Sequence, residues 1–144
     1  MTTSGVLSTI DGILSAVTSP TFTAVYQGEP LSIPTTPIAA FWLTGHREDF
    51  TTLSDASTVA EFLIRCYWRL QTSADVRETV EVEMWNAIIA VKAGLRGDSA
   101  LSGNAADSRP GDAQTGYIEI GGNVYRHASI PFTVNIYSEA TITP

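Results

Sequence analysis

Residues 58–70, TVAEFLIRCYWRL, decide the fold, because apolar and polar side chains alternate along them. A period of two places successive side chains on opposite faces of a β-strand. One predicted face is apolar and comprises Ala60, Phe62, Ile64, Cys66, Trp68 and Leu70. The other face is mixed and comprises Val59, Glu61, Leu63, Arg65, Tyr67 and Arg69. The segment therefore predicts a long strand with one dry face.

The period changes to that of a helix in the next segment. Apolar residues recur there at three- and four-residue spacing over roughly six turns, or ~30 Å. They are Val76, Val80, Met84, Ala87, Ile88, Val91 and Leu95. Thr72 or Ser73 is the predicted N-cap, and Gly94 and Gly97 are predicted to end the helix. This is the long helix of the predicted fold.

The N-terminal third predicts a short helix and two β-prone runs. Apolar residues between Val6 and Val17 recur at helical spacing, and Pro20 ends that helix. Residues 38–43 are apolar on both faces, which predicts a strand covered on both sides by the domain or by a neighbouring molecule. Residues 45–58, GHREDFTTLSDAST, are predicted to be a polar connection.

The C-terminal third predicts a loop, a hairpin and a last strand. Residues 97–115 are small and polar, which is typical of a flexible loop. Gly121-Gly122-Asn123 lies between two β-prone runs and predicts a hairpin turn. Pro131 predicts that the last strand lies at an edge or carries a bulge. The order of elements over residues 1–144 predicts a single α+β domain, with a mostly antiparallel β-sheet packed by one long and one short α-helix.

Charge and composition exclude several function classes. The 144 residues carry a net charge of −7, and no Lys or Arg precedes Arg47. Eight scattered basic residues do not form the clustered face that grips phosphates, so neither specific DNA binding nor an anionic membrane partner is expected. A single cysteine and the lack of a basic leader or a run of about 20 apolar residues predict production in a reducing cytoplasm.

No catalytic or metal-binding constellation emerges from the motifs. The stretch GDSALSG lacks the second glycine of a nucleophile elbow. His46, Glu48, Asp49 and His127 have no ligand spacing on a regular element, which favours solvated polar residues over a metal site. Cys66 falls on the dry face, which predicts an inert core thiol. We therefore expect no enzyme activity, no metal and no cofactor.

The mixed face of the long strand is the candidate contact surface. Leu63 and Tyr67 lie between Glu61, Arg65 and Arg69. An apolar centre with opposite charges around it is typical of an oligomer or partner interface. An exposed sheet face with cross-strand ion pairs explains the same pattern equally well.

Three segments together resemble the tail terminator (tail-completion) proteins of long-tailed bacteriophages. They are TFTAVYQGEPLSIPTTPIAAFWLTG at 21–45, the long helix, and ASIPFTVNIYSE at 128–139. The resemblance implies an α+β subunit of a hexameric ring. Such a ring caps the tail tube and docks to the head-closure or connector proteins, and DNA passes through its lumen without specific binding. It also implies a place in the tail or neck of a virion, after production in the host bacterial cytoplasm.

A ring with DNA in its lumen is expected to have an acidic lining, because carboxylates repel phosphates. Glu78, Glu81 and Glu83, early on the long helix, are the candidate channel-lining residues, and the acids of the loop at 97–115 are the alternative. Two alternatives stay open. One is a head-closure or minor tail subunit of the same neck, and the other is a small cytosolic domain that holds an apolar ligand on its sheet.

Overall fold

The alternating segment forms most of the middle strand of a six-stranded sheet. A computed structural model describes residues 3–50, 55–70 and 74–139. In these ranges the elements are α1 Thr3–Ser15, β1 Ala24–Gln27, β2 Ile38–Phe50, β3 Asp55–Arg69, α2 Ala74–Gly97, β4 Asp107–Pro110, β5 Gln114–Ile120 and β6 Asn123–Glu139. A mostly antiparallel sheet with one long and one short helix confirms the predicted α+β class.

The sheet is ordered β1-β2-β3-β6-β4, and β5 pairs with the first half of β6. β1 runs parallel to β2, and the other pairs are antiparallel. At the centre, Phe62 lies opposite Phe132 and Ile64 lies opposite Ile130. A register shift between Leu43 and Gly45 interrupts the β2–β3 ladder, which resumes where Gly45 pairs with Glu61.

Both helices pack on one face of this sheet. Phe62, Ile64 and Cys66 of β3 are buried beneath them, which confirms the predicted dry face from Ala60 to Trp68. Leu70, predicted on the same face, lies beyond the end of β3 and is exposed, so that part of the prediction is wrong. The face that α2 turns to the sheet is hereafter the inner stripe, and it comprises Val80, Met84, Ala87, Val91 and Leu95. This burial confirms the predicted period from Val80 to Leu95, and Ile88 is half-buried on the same side. The side chain of Val76 and the predicted N-cap, Thr72 or Ser73, lie outside the described residues.

Gly94 lies inside α2, which ends at Gly97, so the prediction that Gly94 ends the helix is wrong. A Cβ atom at position 94 would stand 2.9 Å from Cγ2 of Ile13. The glycine therefore allows α1 and α2 to approach closely. In the sequence alone, a glycine required for such packing looks the same as a C-cap glycine.

The opposite face of the sheet is covered in part by the chain itself. Ile33, in the connection between β1 and β2, packs on a cluster of Ile38, Ala40, Tyr67 and Tyr125. The Tyr125 hydroxyl donates a hydrogen bond to the carbonyl oxygen of Ile33 at 3.3 Å. The prediction that the start of β2 is covered on both faces is therefore confirmed. On the second face, the covering residues belong to this chain.

The predicted polar connection at 45–58 is wrong. β2 continues to Phe50 and β3 begins at Asp55, so most of this segment extends an antiparallel hairpin. Its polar side chains flank a ladder of backbone hydrogen bonds, which needs no apolar pattern. Arg47 and Glu61 form a 3.6 Å ion pair across the two arms.

β6 is one continuous strand of 17 residues between β3 and the β4–β5 edge, so the predicted edge or bulge at Pro131 is wrong. The Pro131 carbonyl accepts a 2.7 Å hydrogen bond from the Gly111 amide. In an antiparallel strand the nitrogen and the oxygen of one residue point to the same neighbour. The missing N–H of Pro131 therefore faces the gap between β4 and β5, where no ladder bond is needed.

The loop predicted at 97–115 contains regular structure, and that prediction is wrong for residues 107–110 and 114–115, which lie in β4 and β5. Leu101 is fully buried in the core, and Ser108 and Pro110 of β4 are also buried. A four-residue strand of mixed polarity leaves no readable period. The mobility of this segment stays a prediction.

The predicted hairpin turn is confirmed. Ile120 pairs with Asn123, so Gly121 and Gly122 form a two-residue loop between β5 and β6. Their φ angles are +59° and +83°, as a type I′ turn requires, and glycine adopts them without steric cost.

Candidate interaction surfaces

The mixed face of β3 is only partly available to a partner. Glu61 and Arg69 are exposed, and Leu63 and Arg65 are half-buried. Tyr67 is fully buried against Tyr125 at a ring-centroid distance of 6.5 Å, so its predicted place on the contact surface is wrong. The reason is the β1–β2 connection, which folds over this end of the sheet. The role of the other four residues as an interface stays a proposal.

Arg65 organises the polar part of this face. Its Nε donates to Ser129 Oγ at 2.9 Å, and its guanidinium lies 5.6 Å from the centroid of the Trp42 ring. Ser129 Oγ lies 3.3 Å from His127 Nδ1. Ser129 is buried and accepts from a cation, and both features disfavour a role as nucleophile. The arrangement is a network that fixes side chains across β3 and β6.

The environment of His127 favours its neutral form. Burial lowers the pKa of His127, and the nearby Arg65 and Arg126 guanidinium groups lower it further. A histidine in such a place adds a pH-dependent contribution to stability and does not by itself indicate catalysis.

Two of the three candidate channel acids bind the sheet. Glu81 accepts two hydrogen bonds from Arg126, at 2.8 Å from Nε and 3.2 Å from Nη2. Glu83 accepts one at 3.1 Å from Nε1 of Trp68. Glu78 is exposed. The spacing of these acids in sequence does not reveal such bonds, because their partners lie at least fifteen positions away.

Arg126 joins three elements. Besides Glu81 on α2, its Nη1 donates to the Gly116 carbonyl of β5 at 3.2 Å, and its guanidinium stacks 4.8 Å from the centroid of the Tyr117 ring. The carboxylate of Glu81 raises the pKa of Arg126. These contacts hold the first half of α2 on the β5–β6 hairpin.

The outward side of α2 carries a second apolar row that the sequence predictions missed. Val82, Trp85 and Ile89, hereafter the outer stripe, are exposed, and Trp85 is 70% exposed. Their spacing of three and four places them on one side of the helix, roughly opposite the inner stripe. The signal was present in the sequence, since these residues share a helical period with one another. It was obscured by the stronger inner stripe.

An apolar cleft, hereafter the α1 cleft, lies between α1 and the sheet, with a volume of about 200 Å³. Its walls include Val6 and Leu7 of α1, Leu43 of β2, Phe62 of β3 and Ile136 of β6. Leu43 is 54% exposed, so the cleft has an apolar rim. His46 and Thr58 also line it and supply polar atoms.

The remaining candidate groups are structural in this conformation. Cys66 is buried, and this burial raises the pKa of its thiol to about 12. Among the described residues, no group of three or more His, Cys, Asp or Glu side chains is placed to hold a metal ion. In the same part of the chain, neither helix is both long enough and apolar enough to cross a membrane.

Comparison with known proteins gives matches in structure and none in sequence. No family model matches the sequence, and no curated protein matches it. A chain of the solved structure described as "Virion of native gene transfer agent (GTA) particle" superposes with a TM-score of 0.53 at 16% sequence identity. The alignment covers 92% of this chain and 92% of that one. At this identity the likeness shows a shared fold.

Proposed function

We propose that this chain is a structural subunit of a phage-like virion and that it acts as a tail terminator. In this role it forms a ring that caps the tail tube and joins it to head-completion proteins in the neck. The observation that carries the proposal is the fold match to a chain of a gene transfer agent virion, which spans 92% of both chains. The sequence resemblance to tail terminators supports the finer assignment.

The surfaces of the chain support an assembly function. The outer stripe and the α1 cleft are apolar regions that a monomer leaves in water, and contiguous exposed patches of this kind mark interaction sites. The α1 cleft, at about 200 Å³, is smaller than the ~300–1,000 Å³ of small-molecule sites. This size favours a protein side chain as its occupant over the apolar ligand of the alternative hypothesis.

The net negative charge of the chain supports a lumen through which DNA passes without binding. The net charge of −7 repels phosphates on average, and Glu78, Glu81 and Glu83 are the acids proposed to line the channel. Two of these acids are already bound to the sheet, so Glu78 is the strongest candidate. A map of the assembled ring with all three acids on its outer rim would rule out this lining.

The solution mass of the 15.4 kDa chain, measured by light scattering over a range of concentrations, tests the ring. We expect a discrete species of about six copies, either alone or after mixing with tail-tube protein. Particles viewed by negative-stain electron microscopy should be annular. A strict monomer that also fails to bind tube ends would contradict the terminator role. Binding to connector protein alone would instead favour a head-closure subunit.

A further inference from the structure

The outer stripe gives α2 two apolar sides. The inner stripe packs on the sheet, while Val82, Trp85 and Ile89 face solvent. A surface helix of a monomer ordinarily has polar residues on the side away from the core. A helix that is apolar on both sides is typical of an element between two layers. Within the described part of the chain, one of those layers, the sheet, is present.

The α1 cleft has the size and chemistry to receive the centre of that stripe. An apolar cavity of ~150 Å³ accommodates benzene, so a cleft of about 200 Å³ accepts an aromatic side chain. A buried tryptophan also needs an acceptor for its indole N–H. The Thr58 hydroxyl and the His46 imidazole in the cleft can supply one.

The two surfaces are complementary and share no residue. The outer stripe lies on α2, and the α1 cleft lies between α1 and strands β2, β3 and β6. A contact between different patches of identical chains is heterologous, and such contacts close into rings when the rotation allows. A two-fold contact between two outer stripes would leave the α1 cleft and Leu43 uncovered, whereas a heterologous contact covers both.

We propose that the outer stripe of one copy docks in the α1 cleft of the next copy, with Trp85 as the side chain that enters the cleft. This inference rests on the proposed function, because it names the subunit contact of the ring. Exposed tryptophan at the centre of a contact is the residue type that most often dominates binding energy. A stable pair buries ~800 Å² per partner, so ring closure and surfaces adjacent to the stripe and cleft also contribute to the contact.

The charge of the chain predicts how this contact responds to salt. Every copy carries −7, so like charge opposes association, and the apolar contact must overcome it. Because salt screens that repulsion and leaves apolar contacts in place, association should strengthen from 20 to 500 mM NaCl. A contact built from opposite charges would weaken over the same range.

Cysteine cross-linking tests the contact directly. Asn86→Cys, beside Trp85, and Thr3→Cys, in the wall of the α1 cleft, are exposed positions that leave Trp85 and Leu43 in place. The two chains are mixed and treated with a short bismaleimide, and products are separated by gel electrophoresis. The buried native Cys66 is unreactive under these conditions. Leu31→Cys, at a side chain that is 91% exposed and outside both surfaces, measures random collision when mixed with Asn86→Cys. We expect the 86–3 product to exceed that control at least tenfold.

Two other cross-linking results would overturn the inference. Dominant 86–86 products would show a two-fold contact between outer stripes. Products no more abundant than the collision control would show that the outer stripe does not dock in the α1 cleft of another copy. If rings still form under either result, the proposed function stands and only the assigned contact fails.

A complementation experiment tests the heterologous contact separately from ring closure. Trp85→Glu removes the stripe and Leu43→Glu blocks the cleft, and both positions are exposed enough to keep the fold. For each variant alone, the protein concentration needed for assembly should rise at least tenfold. Their mixture retains one intact contact per pair and should give a dimer. Loss of assembly without dimer formation on mixing would refute the heterologous contact.

Discussion

Substitution of Arg126 by Met tests whether the Glu81 contact holds α2 on the sheet. Methionine keeps an apolar stem but removes the hydrogen bonds to Glu81 and to the Gly116 carbonyl, and the stacking on Tyr117. The side chain of Arg126 is 14% exposed and that of Glu81 is 51% exposed, so solvent screens the ion pair from one side. We therefore assign the pair about 1 kcal/mol, the upper end for surface pairs.

The other two contacts raise the expected loss. A hydrogen bond to a backbone carbonyl contributes about 0.5–1.5 kcal/mol, and a guanidinium over a partly exposed aromatic ring contributes about 0.5–1 kcal/mol. Arg126→Met should therefore lower the free energy of unfolding by roughly 2–3.5 kcal/mol in total. Urea titration measures it as a shift in midpoint at unchanged slope. Arg96→Met, in the last turn of the same helix, is the matched control and should cost less than about 0.5 kcal/mol.

A double-mutant cycle isolates the pair. Glu81→Gln keeps the shape of the side chain and removes its charge, and its coupling with Arg126→Met should be about 0.5–1 kcal/mol. A loss below about 0.5 kcal/mol for Arg126→Met, or strict additivity in the cycle, would refute the reasoning. Glu81 would then be an acid with no structural role, and its assignment to the channel would gain support.

Three further outcomes are expected. Leu95→Ala, at a fully buried site of the inner stripe, should cost about 2–5 kcal/mol by urea titration, whereas Trp85→Ala should cost under ~0.5 kcal/mol and reduce self-association instead. Because burial holds the pKa of folded His127 below the ordinary 6.5, stability should fall as pH drops through 6.5, and His127→Gln should lessen that fall between pH 7 and pH 5. Gly122→Ala, at φ +83°, should cost about 1 kcal/mol by thermal melting, and an unchanged midpoint would contradict the type I′ turn.

Local periodicity predicted much of this fold. The period of two at 58–70 and the period near 3.6 in α2 each report which side of an element meets the core, and burial of Ile64 and Val91 follows from them. The Gly121-Gly122 turn was equally readable, because backbone chirality restricts positive φ to few residue types. In each case the sequence signal and its structural cause lie within a few residues.

The predictions that failed depend on residues far apart in sequence. Tyr67 is buried because a connection more than thirty positions earlier folds over it, and Gly94 is required by Ile13 on another helix. The polar arms of the β2–β3 hairpin form strands through backbone pairing that side-chain patterns do not report. For the same reason, the sequence showed the acids of α2 but could not show that Arg126 binds Glu81.

The two proposals that involve α2 constrain each other. Glu78 lies four residues before Val82, so it is on the same side of the helix as the outer stripe. If the stripe docks in the cleft of a neighbouring copy, Glu78 stands at the edge of that contact and is turned away from an open lumen. Cross-linking between positions 86 and 3 would thus weaken the assignment of Glu78 to the channel. Failure of that cross-link, with ring formation intact, would leave the outward side of α2 available to face the DNA.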